Sequence, residues 1–316
     1  MEATSGGAMG VRSLGLHRER TPRSVREQVI KALLFLAALL SVLTTTGIVF
    51  SLLRETINFF REVGFFEYLF GTKWTPLSGG EQKSFGVLPL IYDTLYLTAI
   101  GMLVAVPLGL GSAIYLSEYA SPRFRRIVKP VLEVLAGVPT IVFGYFALTF
   151  FTPEIIQALG IDAGVFNALS AGIVLGILVL PIVATVADDA LSAVPGSLRE
   201  GAFGLGASRM QVSLRVVLPA ALSGVVAALV LAASRAIGET VIILVAGGQQ
   251  ANLTLDARES MQNMPAFIAA TSRSDISTNS VEYLTIFAVG TTLFVMTLIL
   301  NLISIRFVRK YRQVYE

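Results

Sequence analysis

Long apolar runs separated by short polar segments dominate the chain. They cover residues 29–53, 88–116, 131–151, 165–187, 216–245 and 283–305. Each is long enough to cross about 30 Å of hydrocarbon at about 1.5 Å of helical rise per residue. Lipid offers the backbone no hydrogen-bond partners, so each run is predicted to be helical. A membrane barrel would instead need strands of about ten residues that alternate in polarity, and these runs do not alternate. The expected fold class is an all-α integral membrane protein with about six transmembrane helices.

Composition agrees. Only 14% of the 316 residues are charged and 54% are hydrophobic, whereas a soluble domain carries about 25% charge. There is no cysteine, which excludes disulfides, thiolate metal sites and cysteine nucleophiles. The single histidine, His17, lies in a polar stretch, so no metal site is expected. Residues 1–28 are rich in Gly, Ser and Arg without an apolar period and are expected to form a basic, disordered cytoplasmic tail. The run 29–53 exceeds the apolar core of a signal peptide, about 7–15 residues, and is expected to be a retained first transmembrane helix. Residues 54–87 then form an external loop and 88–316 the core transmembrane domain.

Lysine and arginine orient the chain. With the N-terminus inside, the inner segments hold 17 Lys and Arg residues and the outer segments six. Both termini are therefore expected on the cytoplasmic side of a bacterial inner (plasma) membrane. The outer loop 246–282 contains an apolar stretch, Met261 to Ile268, that is too short to span and is expected to dip into the membrane surface.

One pair of charges stands inside a span. Arg235 and Glu239 are four residues apart, so a helix would place them on one face. A charge at the bilayer centre costs about 2.5–3.5 kcal/mol even on lenient scales, and such residues mark pathways more often than not. One reading is an anion path in which the guanidinium fork of Arg235 attracts an oxyanion and Glu239 holds or replaces it. The other is a buried ion pair that fixes packing. Ser234 and Thr240 offer hydroxyls beside the pair, or bond their own helix carbonyls.

Between the fourth and fifth runs, residues 191–210 read as a short exposed helix with small side chains, begun near Pro195 and Ser197. Such a surface suits close approach of another protein, or a lipid headgroup layer. Gly172 and Gly176 have the spacing of a tight helix–helix contact. No lysine follows a glycine, so the chain has no Gly-Lys-Ser/Thr phosphate loop and is not itself an ATPase.

Several stretches match a known family. Glu200-Gly201-Ala202, then Gly206, and Leu218-Pro219 resemble the EAA signature of ABC importer permeases, with Gly201 where alanine is usual. Gly137-Val138-Pro139-Thr140, Ser234-Arg235-Ala236-Ile237-Gly238-Glu239-Thr240 and the run Phe85 to Leu95 resemble phosphate permeases. Glu259-Ser260-Met261-Gln262 is similar to their C subunit (PstC). The resemblance implies a type I importer permease, a transport subunit and no enzyme, in an ATP-driven phosphate import complex. A coupling helix at about 195–210 would dock on the ATPase, through Arg199, Glu200, Gly201, Ala202, Gly206, Arg209, Leu218 and Pro219. It implies a second permease subunit (PstA-like), an ATPase dimer (PstB-like) and an external phosphate-binding protein (PstS-like). No cofactor is expected on this chain, since ATP and Mg belong to the partner ATPase. Arg235 and Glu239 match the Arg and Glu that the family needs for transport. A permease for sulfate or molybdate and a stand-alone secondary anion transporter are the alternatives.

Overall fold

The computed structural model describes residues 22–278 and 280–311. Most of the expected tail, residues 1–21, lies outside them. The chain divides into two compact units, Met1–Ser51 and Leu52–Glu316, and every contact given below lies within the second.

Helix α1, Pro22–Glu62, is continuous over 41 residues and longer at both ends than the apolar run 29–53. It takes in the last residues assigned to the tail and the first of the loop, because polar good helix formers such as Arg, Gln and Glu extend a helix beyond its apolar stretch. A short helix α2, Phe65–Phe70, and a 3₁₀ turn at Gly80–Gln82 follow. α3 spans Leu88–Tyr119 and closes in a π-helical turn. α4, Pro122–Ala136, is started by Ser121, whose hydroxyl accepts from the Phe124 amide.

α5, Thr140–Gln157, is separated from α4 at Gly137–Pro139. The expected third span, 131–151, is therefore divided. Its first residues belong to α4, which buries no side chain within this chain, and the span proper is α5. Pro139, which has no N–H and disfavours helix at Val138, supplies the break. α5 is π-helical from Ala147, around Pro153.

α6 runs over Ala168–Ser192, with Asn167 as its cap through the Ser170 amide. α7, Gly196–Gly204, is the expected short helix. α8, Arg209–Ala220, and α9, Leu222–Ile237, meet at 74°, so the expected fifth span, 216–245, is not one helix. It bends after Pro219 and ends at Gly238, followed by a π-helical turn at Ile243–Gly247. α10, Met264–Thr271, and α11, Val281–Tyr311, complete the chain. Among the described residues, five helices (α1, α3, α5, α6 and α11) are long and apolar enough to cross a membrane, and the bent pair α8–α9 makes up to six. No strand occurs among the described residues beyond the isolated Trp74–Phe85 bridge.

Helix α6 lies at the centre, packed on α3, α5 and α9 through Leu97, Ala105, Phe143, Val174, Leu178, Val183, Ala232 and Ala236. In a bilayer, small residues that bring backbones close drive such packing. A Cβ on Gly176 would sit 2.6 Å from the Gly101 carbonyl oxygen of α3, and one on Gly172 would sit 2.6 Å from Ile100. The two glycines thus set the α3–α6 separation. A second cluster, around Phe59, Tyr68, Trp74, Leu90 and Phe267, joins the 52–87 segment to α10. The segment 261–267 is buried within the protein.

Candidate functional site

The charged pair sits where α9 stops. α9 ends at Ile237 and Gly238 caps it. Glu239 then folds back, and its Oε1 accepts from the amides of Val241 (3.0 Å) and Ile242 (3.3 Å), which opens the next helical turn. Its Oε2 accepts from Arg235 Nη1 at 2.6 Å. The pair expected on one helix face is formed, but across a broken helix. The break is useful, because the freed amides satisfy a carboxylate that is only 2% exposed.

The two partners differ in access. Glu239 is enclosed, whereas the Arg235 side chain is 39% exposed. Nη1 is spent on Glu239, and the remaining guanidinium donors meet no acceptor among the described residues. In this conformation Glu239 holds the Arg235 guanidinium in place while the rest of that side chain stays open. Asn263 Nδ2 donates to the Glu239 carbonyl at 2.7 Å, tying the break to the buried segment before α10. Ser234 faces Asn301 of α11 at 3.4 Å instead of a carbonyl of its own helix. Thr240 donates to the Gly238 carbonyl at 3.3 Å. Arg235 and Glu239 are thus brought together, and Ser234 and Thr240 border them with their hydroxyls engaged.

The second set of sequence-selected residues is divided between an outer and an inner face. Glu200 and Gly201 of α7 are exposed, and nothing lies within 4 Å of a Cβ built on Gly201. Phe203 (46%), Leu205 (91%) and Met210 (64%) add exposed apolar side chains beside them. Gly206 has φ +83°, a left-handed conformation suited to glycine, and turns the chain from α7 into α8. Ala202 and Leu218 pack on the cluster of Leu191, Val194 and Val217, and Pro219 marks the α8–α9 bend.

Arg199 points inward. It pairs with Glu118 at the end of α3 (2.9 Å) and donates to the carbonyls of Val194 and Leu191. Arg209 lies over the ring of Tyr119, 5.7 Å from its centroid. These two arginines fasten α7 and α8 to α3.

Sequence reasoning missed Glu118, Asp188 and Asp93. Asp188, fully buried, accepts from Arg125 of α4 through both oxygens (3.0 and 2.9 Å). Lys129 donates to Asp189 at 2.6 Å, and that bond holds its ammonium above the ordinary lysine pKa. Together they hold α4 against the end of α6. The signal was acids at the ends of apolar runs, facing the Arg125–Lys129 group. Asp93, also fully buried, accepts through Oδ2 from the amides of Asn252 and Gln262.

Apolar helices about a half-exposed arginine, with a short polar helix beyond their ends, define a multi-pass membrane transport component. The match of residues 105–313 shows that the chain belongs to the family described as binding-protein-dependent transport system inner membrane component. It is 32% identical over 249 residues to the probable ABC transporter permease protein YqgH of Bacillus subtilis (strain 168), covering 78% of this chain and 79% of that one. It is 30% identical over 289 residues to the phosphate transport system permease protein PstC of Mesorhizobium japonicum, covering 85% of each. Among solved structures, a chain of a bacterial alginate ABC transporter superposes with a TM-score of 0.63 at 18% identity, covering 88% of this chain and 93% of that chain. The fold is that of a type I ABC importer permease.

Proposed function

We propose that this chain is the channel-forming permease subunit of an ATP-driven phosphate importer, with both termini cytoplasmic. The observation that carries the reading is the Arg235–Glu239 pair, which holds one guanidinium half-open at the break of an otherwise apolar span. Relatives named as phosphate permeases, among them PstC of Mesorhizobium japonicum and PstA 1 of Mycobacterium tuberculosis, support phosphate as the cargo. A PstA-like second permease, a PstB-like ATPase dimer and a PstS-like binding protein complete the complex. ATP and Mg are used by the ATPase.

In the mechanism, the exposed face of α7 around Glu200, Gly201, Phe203 and Leu205 docks on the ATPase. Closure of the ATPase moves α7. Arg199 and Arg209 carry that movement to α3 through Glu118 and Tyr119. The helices rock, and phosphate from the binding protein passes Arg235, whose free donors match its oxygens.

Cargo identity is tested by uptake of labelled phosphate into cells that lack their own importer and carry the chain with its operon partners. Unlabelled phosphate is expected to compete and sulfate or molybdate not to. Competition by sulfate or molybdate in place of phosphate would assign the complex to another oxyanion.

A further inference from the structure

Helix α4 buries no side chain within this chain, yet what it exposes is sorted by face. Phe124, Ile127, Val131 and Val134 recur at steps of three, four and three residues, so they form one row along the helix. All four are exposed, Phe124 by 44% and Val134 by 72%. Round the helix from that row come Arg123, then Arg126, then Glu133, the one acid of α4, all exposed. The remaining side faces the body of the protein. There Arg125 reaches Asp188 and Ser192 at the end of α6, Lys129 reaches Asp189, and Leu135 packs on the central core.

Position along the helix matters as much as face. The four basic residues, Arg123, Arg125, Arg126 and Lys129, all precede Pro130, and α4 runs on from them to Gly137 and the span α5. Aromatic side chains gather at the same end. Tyr115 and Tyr119, in the last turn of α3, are 49% and 40% exposed, and the Phe124 ring meets that of Tyr115 edge to face at 5.8 Å. Tyrosine is enriched at membrane–water interfaces, where its ring and its hydroxyl meet different media. A basic start at that level, with an exposed apolar row running on towards a span, is the pattern of a helix that lies in the interface. Arg123 and Arg126 make no ion pair or hydrogen bond among the described residues, whereas Arg125 and Lys129 are held by carboxylates. A dry protein surface would cover the apolar row but leave two cations to be desolvated. An anionic lipid supplies both halves, acyl chains for the row and a phosphate for the guanidinium groups.

We infer that α4 is an interfacial anchor for anionic phospholipid in the leaflet on the α7 side, with headgroup phosphates held by Arg123 and Arg126 and acyl chains laid against Ile127, Val131 and Val134. Such an anchor is independent of the cargo. The chain has no cysteine, so Ile127→Cys carries a single fluorophore within the row. The labelled full chain is reconstituted in phosphatidylcholine bilayers that contain increasing fractions of either phosphatidylcholine or phosphatidylglycerol brominated on the acyl chains, and quenching is measured.

Quenching by both lipids is expected, half-complete at a fraction of brominated phosphatidylglycerol lower by about fivefold for each arginine that holds a headgroup. Arg123→Gln together with Arg126→Gln is expected to remove that preference and to leave quenching by phosphatidylcholine unchanged. No quenching by either lipid, equal quenching by both, or a preference that survives the double substitution would overturn the anchor. Loss of quenching when the second permease is added would also overturn it and assign this face to that subunit.

Discussion

Arg235→Ala is expected to lower phosphate uptake about ten- to a hundredfold per assembled complex, the worth of one or two charge-assisted hydrogen bonds to the passing anion. The substitution removes the open guanidinium donors and leaves the Glu239 carboxylate with the amides of Val241 and Ile242. Those two bonds keep the helix break capped, so membrane levels and assembly are expected to stay near native. Arg235→Lys retains the charge but not the fork, and an intermediate rate is expected. Uptake measured against the quantity of complex in the membrane decides between the readings. Unchanged uptake per complex would make the pair a packing device.

The second large effect is on stability and coupling together. Arg199→Ala leaves Glu118, whose side chain is only 7% exposed, without its cation, and deprives the Val194 and Leu191 carbonyls of a donor. Breaking a buried ion pair from one side costs about 3–5 kcal/mol, and Arg199, itself 21% exposed, puts this case at the lower end of that range. A clear fall in the thermal midpoint of the purified chain is expected. Glu118→Gln with Arg199→Met removes both charges and is expected to restore much of that midpoint. In the assembled complex the double variant is expected to hydrolyse ATP without importing phosphate, because the tie between α7 and α3 is gone. Full uptake by the double variant would show that the tie is structural only.

The apolar helices and the Arg235–Glu239 pair were legible in the sequence because each rests on local pattern, helical run length or four-residue spacing. The breaks were less so. Pro139 and Pro219 were visible as residues, yet an apolar run continues through both, and hydropathy does not distinguish a kink from a divided helix. The division of 131–151 into α4 and α5 therefore emerged only in three dimensions. Arg199 illustrates a different limit. The family resemblance placed it with the docking residues, but its partner Glu118 lies 81 positions earlier. No local pattern reports that contact.

The central claim is that the chain imports phosphate as one part of an ATP-driven complex. It is tested most directly in proteoliposomes that hold the chain with its second permease and ATPase, supplied with binding protein, labelled phosphate and ATP. Accumulation that requires ATP and stops when the ATPase or the binding protein is left out is the predicted result. Accumulation by the chain alone, without ATPase or ATP, would contradict the account and make it a secondary transporter.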